Sequence, residues 1–165
     1  MMSLFKRALD AIDTLSGLML FIAVAINAAA VFMRYVMNDS ISWSEEGIRY
    51  ISVWMTFFGA ASASWLDEHL DMNLFTEYAG PFFLAVQKAA LHALTAVFAV
   101  FVLWQGVIYV WLNGSQTAPT TGLEMRYVYS AIAIGGFLLL AVSLVKFCCS
   151  IVMALEARRS RNAAL

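Results

Sequence analysis

Four apolar runs alternate with short polar stretches along this chain. Leu15 to Met33, Tyr50 to Leu66 and Tyr127 to Val145 carry no charged residue, and Ala89 to Leu112 carries His92 alone. At ~1.5 Å per residue, runs of this size cover roughly 25–36 Å as helix, against about 30 Å of bilayer hydrocarbon. The pattern predicts an all-α integral membrane protein of four transmembrane helices, at about 15–36, 46–66, 82–112 and 127–155. Together these make a single transmembrane domain over residues 1–157, followed by a short basic tail at 158–165. Lys6 and Arg7 ahead of the first run loosely resemble a signal peptide. A signal h-region is only ~7–15 residues, so the longer first run is read as a retained helix.

Two connecting stretches are themselves patterned. Phe5, Ala8, Leu9 and Ile12 share one helical face while Lys6, Arg7, Asp10 and Asp13 lie elsewhere. Leu70, Leu74, Phe75 and Tyr78 line another face, with Asp67, Glu68, Asp71 and Glu77 apart from it and Gly80-Pro81 as a stop. Both predict amphipathic interfacial helices, one at the N-terminus and one between helices 2 and 3. Trp43, Tyr50, Trp65, Trp111 and Tyr127 fall at span ends, where a headgroup-level aromatic belt belongs.

Composition agrees with lipid as the main solvent: 62% of the 165 residues are hydrophobic and 13% charged, against roughly 45–50% and about 25% in soluble domains. A net charge of -1 without an internal basic patch gives no reason to expect a nucleic-acid partner. Lys6, Arg7, Lys88, Lys146, Arg158, Arg159 and Arg161 fall on one side of the predicted topology, and Arg34, Arg49 and Arg126 on the other. The positive-inside rule then places both termini in the cytoplasm, N-in and C-in. The neighbours Cys148 and Cys149 point apart on a helix, so they predict no mutual disulfide.

The chemistry expected of a self-contained transporter or enzyme is missing from the spans. All eleven acids lie outside the four apolar runs, and none of the runs contains a proline. A small transporter acting alone needs an ionisable group or a broken helix near the midplane. Asn27 is read as an interhelical hydrogen bonder and His92 as a packing histidine. A membrane anchor subunit of a redox enzyme, with His92 as haem ligand, is one alternative; it lacks a second histidine at membrane depth, since His69 falls outside the spans. A small self-contained exporter is another. No metal cluster, phosphate loop or nucleophilic arrangement is legible, so neither catalysis nor a cofactor is expected.

The information sits instead in the polar stretch from Arg34 to Tyr50, Arg-Tyr-Val-Met-Asn-Asp-Ser-Ile-Ser-Trp-Ser-Glu-Glu-Gly-Ile-Arg-Tyr. Ser42-Trp43-Ser44-Glu45 fits a capping box, and Glu45 and Glu46 are spaced to pair with Arg49. Arg34, Asn38 and Asp39 precede the cap and are left to meet a partner. In this stretch the chain resembles the DctQ-like small membrane subunit of tripartite ATP-independent periplasmic (TRAP) transporters. The match runs through Arg34-Tyr35, Asn38, Ser40 to Glu46 and Arg49-Tyr50, then Trp54, Phe57, Gly59-Ala60, and His69 with Asp71. Gly106, Leu123 and Tyr129 to Gly135 look like later landmarks of the same family. Asp67 and Glu68, where the family often has a basic residue, and Ala133, where it often has a proline, depart from the pattern.

The resemblance implies a non-catalytic subunit in the bacterial inner membrane. It implies a large DctM-like membrane partner that carries out sodium-coupled uptake of an organic acid, and a soluble DctP-like periplasmic binding protein. On this reading Arg34, Asn38 and Asp39, joined by Glu124 and Arg126, help dock the binding protein. Ser42, Trp43, Glu45, Glu46, Arg49 and His69 hold loop structure or meet a subunit or lipid headgroups.

Overall fold

The protein is described here by a computed structural model covering residues 2–66 and 81–163. Four helices make up the fold: α1 (Met2–Phe32), α2 (Ser44–Trp65), α3 (Pro81–Asn113) and α4 (Met125–Ala163). A π-helical turn, Met33–Met37, follows α1 directly. Among the described residues there is no sheet; Thr117 and Glu124 form one isolated antiparallel bridge.

Local chemistry explains the boundaries. Asn38 ends the π turn in the left-handed region at φ 56°, a conformation asparagine tolerates better than most side chains. Pro81 opens α3, where its missing N–H costs nothing. Gly122, at φ 66°, supplies the left-handed residue of the α3–α4 loop.

One expectation is corrected. The N-terminal amphipathic segment is not a separate interfacial helix: α1 runs unbroken from Met2 to Phe32. Good helix formers such as Arg7, Ala8, Leu9 and Leu15 carry it through, and no proline interrupts it. Residues 158–163, within the basic stretch, continue α4. Among the described residues, three of the four helices are long and apolar enough to cross a membrane by length and composition: Leu9–Met37, Val86–Asn113 and Met125–Met153. The 22-residue α2 begins with Glu45 and Glu46 in its first turn and carries Ser52, Thr56, Ser62 and Ser64 further along. The amphipathic segment expected between helices 2 and 3, with His69, lies outside the described residues.

The packing order accounts for the polarity of α2. Contacts join α1 to α2, α2 to α4 and α4 to α3, with no other helix pair touching among the described residues. The helices thus form one open row, α1–α2–α4–α3, instead of a closed bundle. With a neighbour on each side, α2 buries Ser62 and Ser64 in protein. The outer helices α1 and α3 have only 11% of their candidate spans buried, against 33% for α4. They therefore present most of their apolar surface outward.

Each junction has its own device. Between α3 and α4 the backbones nearly touch. A Cβ added to Gly106 would stand 2.8 Å from Ala133 N, and one on Gly136 would stand 2.9 Å from Leu103 N. Such close approach is what small residues permit in membrane helix pairs. Between α1 and α2, Leu9, Ser16 and Ala23 are buried at a seven-residue spacing, and Ser62 Oγ donates to Asp13 Oδ1 at 3.1 Å. Between α2 and α4, Phe57 packs on Gly135, and Lys146 Nζ lies 5.1 Å from the Trp65 ring centroid. Gly135→Ala puts a methyl 2.9 Å from Phe57 Cγ. Overpacking of this kind costs about 1–3 kcal/mol. The expected outcome is a lower Tm in detergent; an unchanged Tm would show that α2 can shift along α4.

Candidate functional site

The C-terminal ends of α1 and α3 and the N-terminal ends of α2 and α4 meet at one edge of the row, where residues 33–43 and 114–124 form two loops. The first loop carries Arg34, whose Nη2 donates to Glu45 Oε1 at 3.1 Å. Both side chains are well exposed, at 56% and 71%, so the pair orients Arg34 more than it stabilises the fold. Below it, Asn27, Arg34, Ser44 and Glu45 are among the walls of a notch of about 60 Å³ between α1 and α2. Asn27 lines this notch and makes no hydrogen bond to another helix among the described residues, contrary to the role expected of it.

The capping box does not form. The residue capping α2 is Trp43, without a side-chain hydrogen bond. Ser44, instead of Ser42, turns its hydroxyl back to Ile41 O at 2.8 Å, and Trp43 lays its ring against Gly47. Glu45 is drawn off the helix head by Arg34, and among the described residues neither it nor Glu46 pairs with Arg49. Asn38 and Asp39 are exposed, with the Asp39 amide donating to Met33 O at 3.2 Å. The loop thus holds these two outward by its backbone.

Glu46 reaches the second loop. Its carboxylate accepts from the Thr120 amide at 3.3 Å, from the Thr121 amide at 3.1 Å and from Thr121 Oγ1 at 3.2 Å. That loop is braced internally by Ala118 N to Leu123 O and Met125 N to Gln116 O, each 2.8 Å. Glu124 and Arg126 stand exposed at its far end, and the Arg126 side chain packs across Gly114. Arg34, Asn38, Asp39, Glu124 and Arg126 therefore share one edge of the molecule. His69 lies outside the described residues, and His92 is buried at 2% exposure.

Sequence reasoning missed the Glu46 contact. Seventy-four residues separate Glu46 from Thr120, and nothing in the spacing distinguishes Glu46 from Glu45. The adjacent threonines ahead of Gly122 were the available signal.

Glu46 sits at the head of α2, before the apolar run that starts at Tyr50. Desolvation by itself would raise its pKa, but the hydrogen bonds from Thr120 and Thr121 outweigh that and hold it below the ordinary 4.5. A carboxylate depressed in this way contributes stability above its unfolded value and loses it as pH falls through the folded one. The Thr120 and Thr121 amide resonances should thus hold steady at neutral pH and shift together in acid, with a shared midpoint below that of an ordinary glutamate. A joint shift near pH 6 would contradict the contact.

The sequence has relatives of known type. The family model for the DctQ component of tripartite ATP-independent periplasmic transporters matches residues 7–153. A Haemophilus influenzae protein described as a TRAP transporter small permease is 30% identical over 112 residues, covering 68% of this chain and 70% of its own length. The family's tripartite organisation implies a DctM and a DctP component as partners. This multi-pass membrane chain therefore belongs to the DctQ family and is a non-catalytic small permease subunit of a TRAP transporter.

Proposed function

We propose that this subunit is the fixed brace of a sodium-coupled importer of an organic acid in the bacterial inner membrane. In this reading the α1–α2–α4–α3 row packs along the large transport subunit, with both termini cytoplasmic and the two-loop edge facing the periplasm. All four helices are inserted, α2 screened by its neighbours. The sodium coupling and the substrate class follow from the family resemblance, and the sites for both belong to the large subunit.

The observation that carries this is the open row. A self-sufficient membrane domain closes around its own polar groups, whereas here α1 and α3 each pack on a single neighbouring helix among the described residues and face outward elsewhere. A row with two broad apolar faces suits a partition between lipid and a larger membrane protein. At the periplasmic edge, Arg34, Asn38, Asp39, Glu124 and Arg126 offer mixed charge for docking the binding protein, with Trp43 and Arg49 at headgroup level. The redox-anchor and exporter alternatives give way to the family assignment.

The brace is tested by assembly. Tagged and extracted in mild detergent, the chain should retain the large subunit in the absence of binding protein. Quantitative recovery of the chain alone, from membranes that contain both, would contradict it.

A further inference from the structure

Among the described residues, the two helical hairpins, α1–α2 and α3–α4, pack helix on helix where α2 meets α4. Along that seam the row has contacts near both ends. At the end away from the loops, Lys146 sits over Trp65. At the loop edge, Glu46 on the head of α2 takes the two amides and one hydroxyl of Thr120 and Thr121. We propose that Glu46 is a positioning residue for docking. It latches the α3–α4 loop to the head of α2, so that Glu124 and Arg126 are presented in fixed register with Arg34, Asn38 and Asp39. This rests on the proposed role of the two-loop edge in meeting the binding protein.

The geometry favours a latch over an incidental surface contact. An ordinary surface acid makes one exchangeable ion pair, whereas Glu46 accepts from two successive backbone amides as well as a hydroxyl. Charge-assisted bonds to backbone amides fix a loop's path and not merely a side chain. Thr120 and Thr121 would otherwise leave N–H groups pointing outward, because the loop's internal bonds end at Ala118 and Gly122, joined at 3.0 Å. The first loop is held separately, by Asp39 N on Met33 O and by Arg34 on Glu45. Each loop is thus ordered on its own hairpin, and Glu46 sets one against the other. Without it, the two halves of the docking edge would be joined only through the helix packing below.

The latch is tested on the complete transporter. In a background carrying Cys148→Ser and Cys149→Ser, spin labels at the exposed positions Ser40 and Ser115 report the separation of the loops before binding protein is added. Unlabelled protein in proteoliposomes reports uptake as a function of binding-protein concentration. Wild type should give one narrow distance. Glu46→Ala should broaden it and raise the binding-protein concentration for half-maximal uptake by about threefold to tenfold, with the rate at saturation preserved. Glu46→Gln, which keeps one acceptor oxygen, should fall between, and Thr121→Val should produce a smaller broadening.

A narrow, unmoved distance in Glu46→Ala would overturn the latch. So would broadening with unchanged half-saturation, or a fall in saturating rate that merely tracks loss of folded protein. Arg34→Glu and Arg126→Glu, run in parallel, separate the two levels of the argument. If they weaken half-saturation while Glu46→Ala does not, docking at this edge stands and the latch fails. If neither they nor Glu46→Ala do so, the docking reading itself fails.

Discussion

Replacing Gly106 with leucine will separate α3 from α4 and strip the subunit from the membrane complex. A Cβ at that position would meet Ala133 N at 2.8 Å, Ala133 Cα at 3.0 Å and Ile132 C at 3.1 Å. These are backbone atoms, which cannot rotate aside as a side chain can. Since α4 is the helix that α3 packs against among the described residues, no second interface holds α3 in place. Overpacking costs about 1–3 kcal/mol when side chains can yield, and more where they cannot. Gly136→Leu should act alike from the other helix, through Leu103 N at 2.9 Å. Gly106→Ala should be intermediate. Membrane abundance and recovery with the large subunit are the measurements; wild-type levels of Gly106→Leu would mean that the close approach of α3 and α4 is not needed for assembly.

Arg34→Glu is the second large effect. It should leave abundance near normal, because the Arg34–Glu45 pair is exposed and pairs of this sort contribute about 0–1 kcal/mol. Uptake at limiting binding protein should nonetheless fall by about tenfold, since reversing a charge at an interface turns attraction into repulsion. The double swap Arg34→Glu with Glu45→Arg separates the two roles. It restores an ion pair at the same place while keeping the charge at 34 reversed. Uptake should stay low in the swap. Recovery to wild type would show that the pair matters only for loop shape, and would remove Arg34 from the docking edge.

The long helices were legible in the sequence because lipid demands a simple pattern: uninterrupted apolar runs such as Ala89 to Leu112 admit few readings. The row order was not legible. Which helix lies beside which depends on contacts such as Phe57 on Gly135 and Gly106 on Ala133, and neither residue type announces its partner. The polarity of α2 became intelligible only once it was seen to lie between α1 and α4.

The site shows the same division. The stretch from Arg34 to Tyr50 was recognisable as the informative one, yet its local wiring was misassigned. Spacing rules favoured Ser42 as cap and Arg49 as the partner of Glu45 and Glu46, because such rules see only near neighbours along one helix. In the fold, Glu45 turns back to Arg34 across the loop, and Glu46 crosses to Thr120 and Thr121 on the other hairpin. The π turn and the left-handed Asn38 bring the first loop round, and neither was visible as periodicity.

The most direct test of the account is uptake of the candidate organic acid into proteoliposomes under an inward sodium gradient. The preparations compared are this chain alone, the large subunit with binding protein, and all three together. A brace without an ion pathway predicts uptake only from the complete set. Uptake by this chain alone would contradict it, and so would full uptake by the large subunit and binding protein without this chain.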